Sequence, residues 1–207
     1  QSLESDYSET KSTSKGFMSK KTELTKSLEQ NVKSSNINGE NIYINANNDI
    51  NLQSVNLIAD QNSNKKDLND NINNSKNGNK GTISIVSNNG NINIASASYT
   101  TYYDTQTDKS SFGGLSKSSS KLNDTTISQS SSNLFSANSI NLKANNINVI
   151  ASNLKSTNID IQAKLLNLIS SKEINSHTEF KTKSGIITAT IEDKGSIKEI
   201  EIPSIIQ

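Results

Sequence analysis

The sequence has no cysteine, no tryptophan and no arginine, and it has one proline in 207 residues. Without cysteine the chain can form neither a disulfide framework nor a thiolate metal site. Arginine is the side chain best suited to bidentate recognition of phosphates and base edges, so its absence argues against a nucleic-acid partner. All 21 basic residues are lysines, and 20 acidic residues balance them, so no broad basic footprint for nucleic acid is expected.

Apolar residues are also scarce, at 30% of the chain against roughly 45–50% in globular proteins. An ordinary round core is therefore not expected. A disordered linker is the alternative, because low hydrophobicity with many Ser, Asn and Lys residues is typical of unfolded chains. The net charge of +1 and the single proline oppose that alternative. No apolar run approaches the length of a spanning helix and no signal peptide opens the chain, which suggests a piece of a longer protein.

One pattern of the sequence occurs twice. NIYINANNDINLQSVNL at residues 41–57 returns as NSINLKANNINVIASNL at residues 138–154. Upstream, GFMSKKT at residues 16–22 resembles GGLSKSS at residues 113–119. The repeats predict a first unit at residues 1–110, a second unit at residues 111–178, and terminal strands that could cap the column at residues 179–207.

Within each unit, apolar residues recur as triplets with one polar residue between them. A period of two indicates strands. The triplets of the second unit begin about seven residues apart, so three strands with their corners make a coil of roughly 20 residues. The pairs are Ile42/Ile44, Ile50/Leu52, Ile83/Ile85, Ile92/Ile94, Ile140/Leu142, Ile147/Val149, Ile159/Ile161 and Leu166/Leu168.

These spacings predict an all-β fold, a right-handed parallel β-helix (solenoid) with protruding loops or β-hairpins, its coils stacked about 4.8 Å apart. The aliphatic side chains are expected to face inward as ladders. Asparagine is expected at the corners, where it tolerates left-handed backbone and can form amide ladders, as at Asn47-Asn48, Asn88-Asn89-Gly90 and Asn145-Asn146. The coding bias of an AT-rich genome is an alternative explanation for the excess of Asn, Ile and Lys, although not for their placement.

Four segments depart from this rhythm. Residues 3–35, 60–80 and 97–133 are expected to leave the column as loops or extended hairpins. The tail from Glu179 is expected to form strands at residues 186–191 and 197–202, joined by a hairpin turn at Asp193-Lys194-Gly195.

Residues with catalytic or metal-binding chemistry are few. His177 is the only histidine, and one histidine in a Ser-rich turn supplies neither a poised nucleophile nor converging ligands, so we expect a solvated corner. The acidic residues of Asp67-Leu68-Asn69-Asp70 match no calcium-loop spacing, and Gly113-Gly114 lacks the strand and helix of a nucleotide loop. We therefore expect no enzyme activity, no cofactor and no metal.

The aromatic residues Tyr99, Tyr102, Tyr103 and Phe112 cluster in a chain that is only 4% aromatic. Tyrosine buries much area at low entropic cost, so this cluster is the candidate contact surface. The alternative is that these side chains pack the base of their own hairpin.

The motifs as a set resemble a known family. SKGFMSKKT, the NGENIYINANNDINLQSVNLIA cluster, and GGLSKSSS followed by ANSINLKANNINVIASNL resemble the haemagglutinin repeats of two-partner secretion exoproteins, which include filamentous haemagglutinins and contact-dependent growth inhibition effectors. The resemblance covers most of the chain. The strands are richer in Asn and Lys and poorer in Gly than is usual there, and residues 60–80 look specific to this chain.

The resemblance implies a secreted, cell-surface fibre segment without enzymatic activity, exported through an outer-membrane transporter and monomeric as a segment. In an effector of the growth inhibition type, the segment would help to deliver a C-terminal toxin to or across the target outer membrane. The target-cell surface is therefore an implied partner. A filamentous haemagglutinin-like adhesin without toxin is the alternative. A β-helical polysaccharide-processing enzyme is a rival of another class, disfavoured because Asn and Ser dominate the coil positions.

Overall fold

The computed structural model describes residues 2–60 and 81–207. Nearly all of the segment at residues 60–80, including Asp67 and Asp70, therefore lies outside the described residues. The described residues form an all-β fold, as predicted, and contain no α-helix. Their strands are β1 (Ser2–Gly16), β2 (Ser19–Lys33), β3 (Ser35–Gly39), β4 (Asn41–Ala46), β5 (Ile50–Gln53), β6 (Val55–Ala59), β7 (Thr82–Ser87), β8 (Ile92–Ala95), β9 (Ala97–Ser111), β10 (Ser116–Ser130), β11 (Asn133–Lys143), β12 (Asn146–Ile150), β13 (Asn153–Gln162), β14 (Leu165–Ile169), β15 (Ser171–Ser184), β16 (Ala189–Ile202) and β17 (Ile205–Ile206).

The short strands pair in parallel in three stacks. The first stack is β3, β6, the start of β11, the start of β13 and β17; the second is β4, β7 and the ends of β11 and β13; the third is β5, β8, β12 and β14. We call each set of consecutive strands across the stacks a tier. The first tier is β3–β5, the second β6–β8, the third β11–β12 and the fourth β13–β14, and β17 begins a fifth.

The register between tiers repeats at a fixed interval. Ser35 pairs with Val55 and Asn133 pairs with Asn153, so the chain advances 20 residues from one tier to the next (55 − 35 and 153 − 133) where nothing intervenes. This is the interval that the triplet spacing predicts. The residues related in the two copies of the pattern, such as Ile42 and Ile140, lie two tiers apart because β7 pairs with both β4 and β11.

The core is a set of aliphatic columns between the stacks. Ile42, Ile92 and Ile140 are buried, as predicted, and Ile159 packs against the core at its last complete tier. Branched side chains suit such columns because they fill a pleated wall in few rotamers. A narrow column needs few apolar residues per tier, which explains the low apolar content. The columns are Ile42–Ile83–Ile140–Ile159, Ile44–Ile85–Leu142–Ile161, Ile50–Ile92–Ile147–Leu166, Leu52–Ile94–Val149–Leu168 and Ile37–Leu57–Leu134–Leu154–Ile206.

Asparagine stabilises the stacks mainly through amide ladders. In the third stack the donor–acceptor distances along Asn51, Asn93, Asn148 and Asn167 are 2.7, 2.6 and 2.7 Å. A second ladder joins Asn36, Asn56, Asn133 and Asn153 on the first stack, at 2.7, 2.9 and 2.9 Å. Both ladders lie on strands, and at the predicted corners Asn88 also donates its side-chain amide to Oδ1 of Asn47 at 3.1 Å.

The prediction that the corner asparagines adopt left-handed backbone conformations is wrong. Among the described residues the non-glycine positions with positive φ are Met18, Ser54, Phe112 and Ala151. Asn47-Asn48 and Asn88-Asn89-Gly90 do form corners, whereas Asn146 begins β12. A Cβ on Gly90, in the second tier, would lie 2.5 Å from the carbonyl carbon of Asn48 in the first tier, so this corner requires glycine for space.

Three hairpins, β1/β2, β9/β10 and β15/β16, leave the stacks at one corner and join in a six-stranded antiparallel sheet. We call it the hairpin sheet; β2 pairs with β9, and β10 pairs with β15. Residues 3–35 and 97–133 were expected to leave the column as loops or extended hairpins, and they form extended hairpins. Where the chain leaves the column, buried Ser132 accepts a hydrogen bond from the backbone amide of Val55 at 3.1 Å and donates one to the carbonyl of Ala95 at 2.7 Å, which satisfies backbone groups there.

The predicted turn at Asp193-Lys194-Gly195 is wrong. These residues lie inside β16, opposite Phe180, Glu179 and Thr178 of β15. The turn is at residues 185–188, where the amide of Gly185 donates to the carbonyl of Thr188 at 2.7 Å. The reason is non-local: β15 gains a full partner in β10, and this long pairing outweighs a local turn preference. The predicted unit boundaries after residues 110 and 178 fall within the second and third hairpins, and the division into homologous units stays a prediction.

Candidate interaction surface

The structure separates the four aromatic residues of the predicted contact surface. Tyr99, Tyr102 and Tyr103 lie in the half of β9 nearer the stacks, whereas Phe112 is in the turn at the far end of the second hairpin. Ten residues of extended strand place Phe112 roughly 33 Å from Tyr102. The three tyrosines and Phe112 therefore cannot form one binding patch.

The tyrosines lie among strand neighbours. Tyr102 is opposite Leu28 of β2 and Thr125 of β10. Partial burial raises the pKa of Tyr102 above its ordinary value, and the negative charge of Asp104 raises it further. Tyr102 therefore lies between strands of two different hairpins, and both the contact role and the alternative stay predictions.

The sequence predicted a solvated corner for His177, and this prediction is wrong because the residue lies on a strand. It lies within β15, and its Nδ1 is 2.6 Å from Oδ1 of Asp124 on β10. Ser196 of β16 is opposite it, so Asp124, His177 and Ser196 occupy one cross-strand row. No hydrogen bond joins Ser196 to the imidazole among the described contacts, and the row lies on an exposed sheet face. A serine nucleophile is activated by a hydrogen bond to its base, and the described part of this row does not provide that contact.

The turns of the three hairpins carry exposed apolar side chains. We call this set the tip crest: Phe17, Met18, Phe112, Leu115, Ile186 and Ile187. Phe17 is 95% exposed and Ile187 is 93% exposed, so these side chains are almost wholly in solvent. Met18 and Phe112 have left-handed backbone at φ 57° and 52°, a conformation that is unfavourable for residues with a Cβ. Selection for a stable turn would favour glycine at both positions.

Lysine dominates the two cross-strand rows next to the tip crest. The first row contains Lys15, Lys20 and Lys117, and the second contains Lys21, Lys109 and Lys183. The other members of these rows are Ser14, Ser110, Ser118, Ser184, Ala189 and Thr190, so the rows contain no carboxylate. Successive rows face opposite sides of the sheet, so both faces carry positive charge near the turns. We call the six lysines, Lys15, Lys20, Lys21, Lys109, Lys117 and Lys183, the lysine rows.

Most ion pairs of the hairpin sheet lie closer to the stacks. Lys33 pairs with Glu4 at 2.5 Å, and Lys172 pairs with Glu199 at 2.6 Å. Within the described residues, Lys21 is the member of the lysine rows that has an ion-pair partner, Glu23 at 2.5 Å. The net charge of +1 therefore conceals an uneven distribution, because in the described part of the chain most ion pairs lie closer to the stacks, whereas the rows next to the turns contain lysines and no carboxylate.

One face of the sheet near the turns forms an open groove of about 690 Å³. Lys11, Lys20 and Lys117 line it together with hydroxyl groups that include those of Thr22 and Ser119. Its described lining includes a single carboxylate, that of Asp108. Ammonium and hydroxyl groups donate hydrogen bonds to anionic oxygen atoms, so the groove fits phosphate or another oxyanion better than a cation.

Residues 2–60 and 81–207 contain no group of three or more His, Cys, Asp or Glu side chains placed to hold a metal ion. No helix in the described part of the chain is long and apolar enough to cross a membrane. Comparisons of the sequence with protein-family models and with curated proteins, and of the structure with solved structures, find no match.

Proposed function

We propose that the chain is a non-enzymatic segment of a large secreted bacterial surface fibre of the contact-dependent growth inhibition type. In this proposal the stacked tiers form a right-handed parallel β-helix that extends the molecule from the cell. The segment helps to deliver a C-terminal toxin to or across the outer membrane of a target cell. Its export partner is an outer-membrane transporter of two-partner secretion.

The observation that carries the proposal is the in-register parallel stacking of three strands per tier at a 20-residue interval. Each tier of such a column adds about 4.8 Å of length and needs few apolar residues. Parallel strands of one sheet are joined by right-handed crossovers in almost all proteins, which supports the proposed handedness. Together with the motif resemblance, this architecture supports a role based on reach and display.

The hairpin sheet supports a contact role for the segment. Strands of 15 residues extend up to about 50 Å, so the turns project far from the column. A long two-stranded ribbon is marginally stable alone, and side-by-side pairing of the three hairpins stabilises the projection. The sheet therefore holds the tip crest at a distance where another cell surface can meet it.

An adhesin without toxin uses the same fibre and is the first alternative. The two functions differ in what the rest of the protein does to the neighbouring cell. A β-helical polysaccharide-processing enzyme is the second alternative. Glycoside cleavage by hydrolysis needs two carboxyl groups in one groove, and the single carboxylate of Asp108 in the described lining disfavours it.

The proposal is tested in the full-length natural protein. Cells that display it would be mixed with target cells, and a strain lacking residues 1–207 would be compared with the parent for target growth and for cell–cell adherence. Protease shaving of intact cells would check that both proteins reach the surface in equal amounts.

Growth inhibition by the parent that is lost in the deletion strain, with adherence retained, is the expected result. Loss of adherence in a system where the parent inhibits nothing would support the adhesin instead. Unchanged inhibition and unchanged adherence in the deletion strain would overturn the proposal.

A further inference from the structure

The six residues of the tip crest lie at one edge of the hairpin sheet. Ser19 of β2 lies opposite Ser111 of β9, and Lys117 of β10 lies opposite Ser184 of β15, so the three turns end at the same edge of the hairpin sheet. The amide of Gly113 also donates to the carbonyl of Met18 at 3.4 Å, which joins the first two turns directly. The exposed apolar side chains of the tip crest therefore lie along one edge of the sheet.

The exposure of these side chains is unfavourable in water. Single exposed apolar residues are common on soluble proteins, but a contiguous patch marks a surface that meets an apolar partner. The six side chains are all more than half exposed, from 54% for Met18 to 95% for Phe17. The left-handed backbone of Met18 and Phe112 adds a conformational cost. A partner for the tip crest would offset both costs.

The charged residues are layered along the strand direction. The apolar turns come first, the lysine rows follow within two residues, and the first carboxylate of β9, Asp108, comes in the next row. A bilayer has the same order of layers, with acyl chains below a plane of phosphate groups. One residue of strand spans about 3.3 Å, so the turns reach roughly 5–10 Å beyond the lysine rows, which is the depth at which interfacial segments bind.

We infer that the tip crest inserts into the interface of an anionic lipid bilayer, while the lysine rows contact the phosphate groups of its lipids. The inference rests on the proposed function in one respect, which is that the segment is displayed where it meets another cell. It deepens that function by assigning the contact to one edge of the hairpin sheet.

A lipid surface fits the tip crest better than a protein partner does. The three turns share exposure and apolarity but not shape, since they present Phe17 and Met18, Phe112 and Leu115, and two isoleucines. A protein pocket would select for fixed shape complementarity, whereas a fluid bilayer accepts any apolar side chain. The absence of arginine and the separation of the tyrosines from the turns oppose a nucleic-acid partner.

The first experiment is co-sedimentation of the purified chain with vesicles of phosphatidylcholine alone or with 30% phosphatidylglycerol. We expect binding to the anionic vesicles only. The variant Phe17→Ser, Phe112→Ser, Ile187→Ser is expected to lose at least ten-fold in partition coefficient. The variant Lys15→Gln, Lys20→Gln, Lys117→Gln is expected to lose roughly a hundred-fold, at about five-fold for each lysine near an anionic surface.

Control variants carry two substitutions of the same kind elsewhere. Tyr43→Ser with Ile197→Ser alters two side chains that are each 72% exposed but lie far from the turns, and Lys143→Gln with Lys198→Gln removes charge outside the lysine rows. Both controls are expected to bind as the parent does. Circular dichroism of every variant would show that the strands are retained.

The second experiment measures insertion, and it is simple because the chain has no tryptophan. Phe17→Trp and Ile187→Trp place a single fluorophore in the tip crest, and Tyr43→Trp places one on the column. We expect a blue shift and quenching by brominated lipids for the first two on anionic vesicles, and neither change for the third.

Each result decides the inference. Binding that survives the serine variant, or tryptophan emission that stays unshifted, would show surface adsorption without insertion and would overturn it. Free inositol phosphate could also displace the chain from sedimenting vesicles as effectively as added anionic vesicles do. That result would show a phosphate site in the groove instead, and it would also overturn the inference. Intact toxin delivery by a full-length protein with the three serine changes would sink this inference and leave the proposed function standing.

Discussion

Asn148 donates its side-chain amide to Oδ1 of Asn93 at 2.6 Å, although 55 residues separate them in the sequence. Asn167 in turn donates to Asn148 at 2.7 Å. Identical amides one tier apart satisfy each other, because every asparagine offers both a donor and an acceptor along the stacking direction. The interaction needs tiers in register, so it selects one alignment of the stack.

Removal of one member of this ladder is expected to destabilise the column. Asn148→Ala deletes two hydrogen bonds and leaves Asn93 and Asn167 without their shared partner, so we expect a loss of about 1–2 kcal/mol in the free energy of unfolding. Urea denaturation followed by circular dichroism measures it. Asn175→Ala, at an exposed position of β15, is the control and is expected to change stability by less than 0.5 kcal/mol. Equal losses in the two variants would contradict a stabilising role for the ladder.

Truncation within an aliphatic column is expected to cost more. Ile140 is fully buried between Ile83 and Ile159, so Ile140→Ala creates a cavity and is expected to lower the free energy of unfolding by about 2–5 kcal/mol. Ile140→Val removes one methylene and is expected to cost about 0.5–1.5 kcal/mol. Ile197→Ala, at a position 72% exposed, serves as the matched control and should cost little. A similar loss for Ile197→Ala would argue against an inward-facing Ile140.

The pH dependence of the hairpin sheet follows from its ion pairs. Hydrogen bonds from Lys21 and Lys181 lower the pKa values of Glu23 and Glu179 below 4.5, and a hydrogen bond to Glu199 raises the pKa of Lys172 above 10.5. The two glutamates therefore stabilise the fold above pH 4.5, and this is lost as the pH falls through their lowered pKa values. The Lys172 contribution is present below pH 10.5 and is lost as the pH rises through its raised pKa.

Melting temperatures between pH 2 and 12 measure these effects. We expect a plateau across neutral pH with a small decrease at each end, because the pairs are exposed and screened by solvent. Glu179→Gln is expected to reduce the acid decrease, and 1 M salt is expected to reduce both decreases. An acid decrease that Glu179→Gln leaves unchanged would contradict these assignments.

The column and the hairpin sheet advance at the same rate. Two tiers separate successive hairpins, and two tiers at about 4.8 Å each occupy the same distance as the two strands that each hairpin contributes. Deletion of residues 97–170 removes one hairpin with its two tiers, so we expect a shorter protein that still folds. Deletion of residues 133–152 removes one tier alone, and we expect β15 to lose its pairing with β10. Hydrogen exchange within residues 171–202 distinguishes the two, and equal protection in both deletions would contradict the matched spacing.

The sequence predicts the column well because the features that form it are local and periodic. Triplets such as Ile140 and Leu142 carry the strand period, and their spacing carries the number of strands in each tier. The hairpins at residues 2–33 and 97–130 were also predictable, because they interrupt that spacing with long polar stretches. The third hairpin was not, since the local turn signal at Asp193-Lys194-Gly195 competes with a pairing to β10 that no local pattern records.

The tip crest was predictable only in part. The sequence marks apolar residues between polar arms at Phe17-Met18 and at Phe112-Leu115, but it does not indicate that the arms pair side by side. Ile186 and Ile187 were assigned to a strand, so the third turn was missed. The lysine rows were missed for the same reason, because their six members come from separate parts of the chain and meet only through the register of the sheet.

The equal pitch of column and sheet has a consequence for how such a molecule changes length during evolution. Duplication of one 74-residue block, from the start of β9 to the start of β15 (171 − 97), adds matching increments to both structures and creates no new kind of junction. Genes can therefore lengthen or shorten the molecule in whole modules by recombination, and each added module brings another turn to the exposed edge. An insertion or deletion that is not a whole module would break the match between the length of the column and the width of the hairpin sheet, so selection would remove such variants.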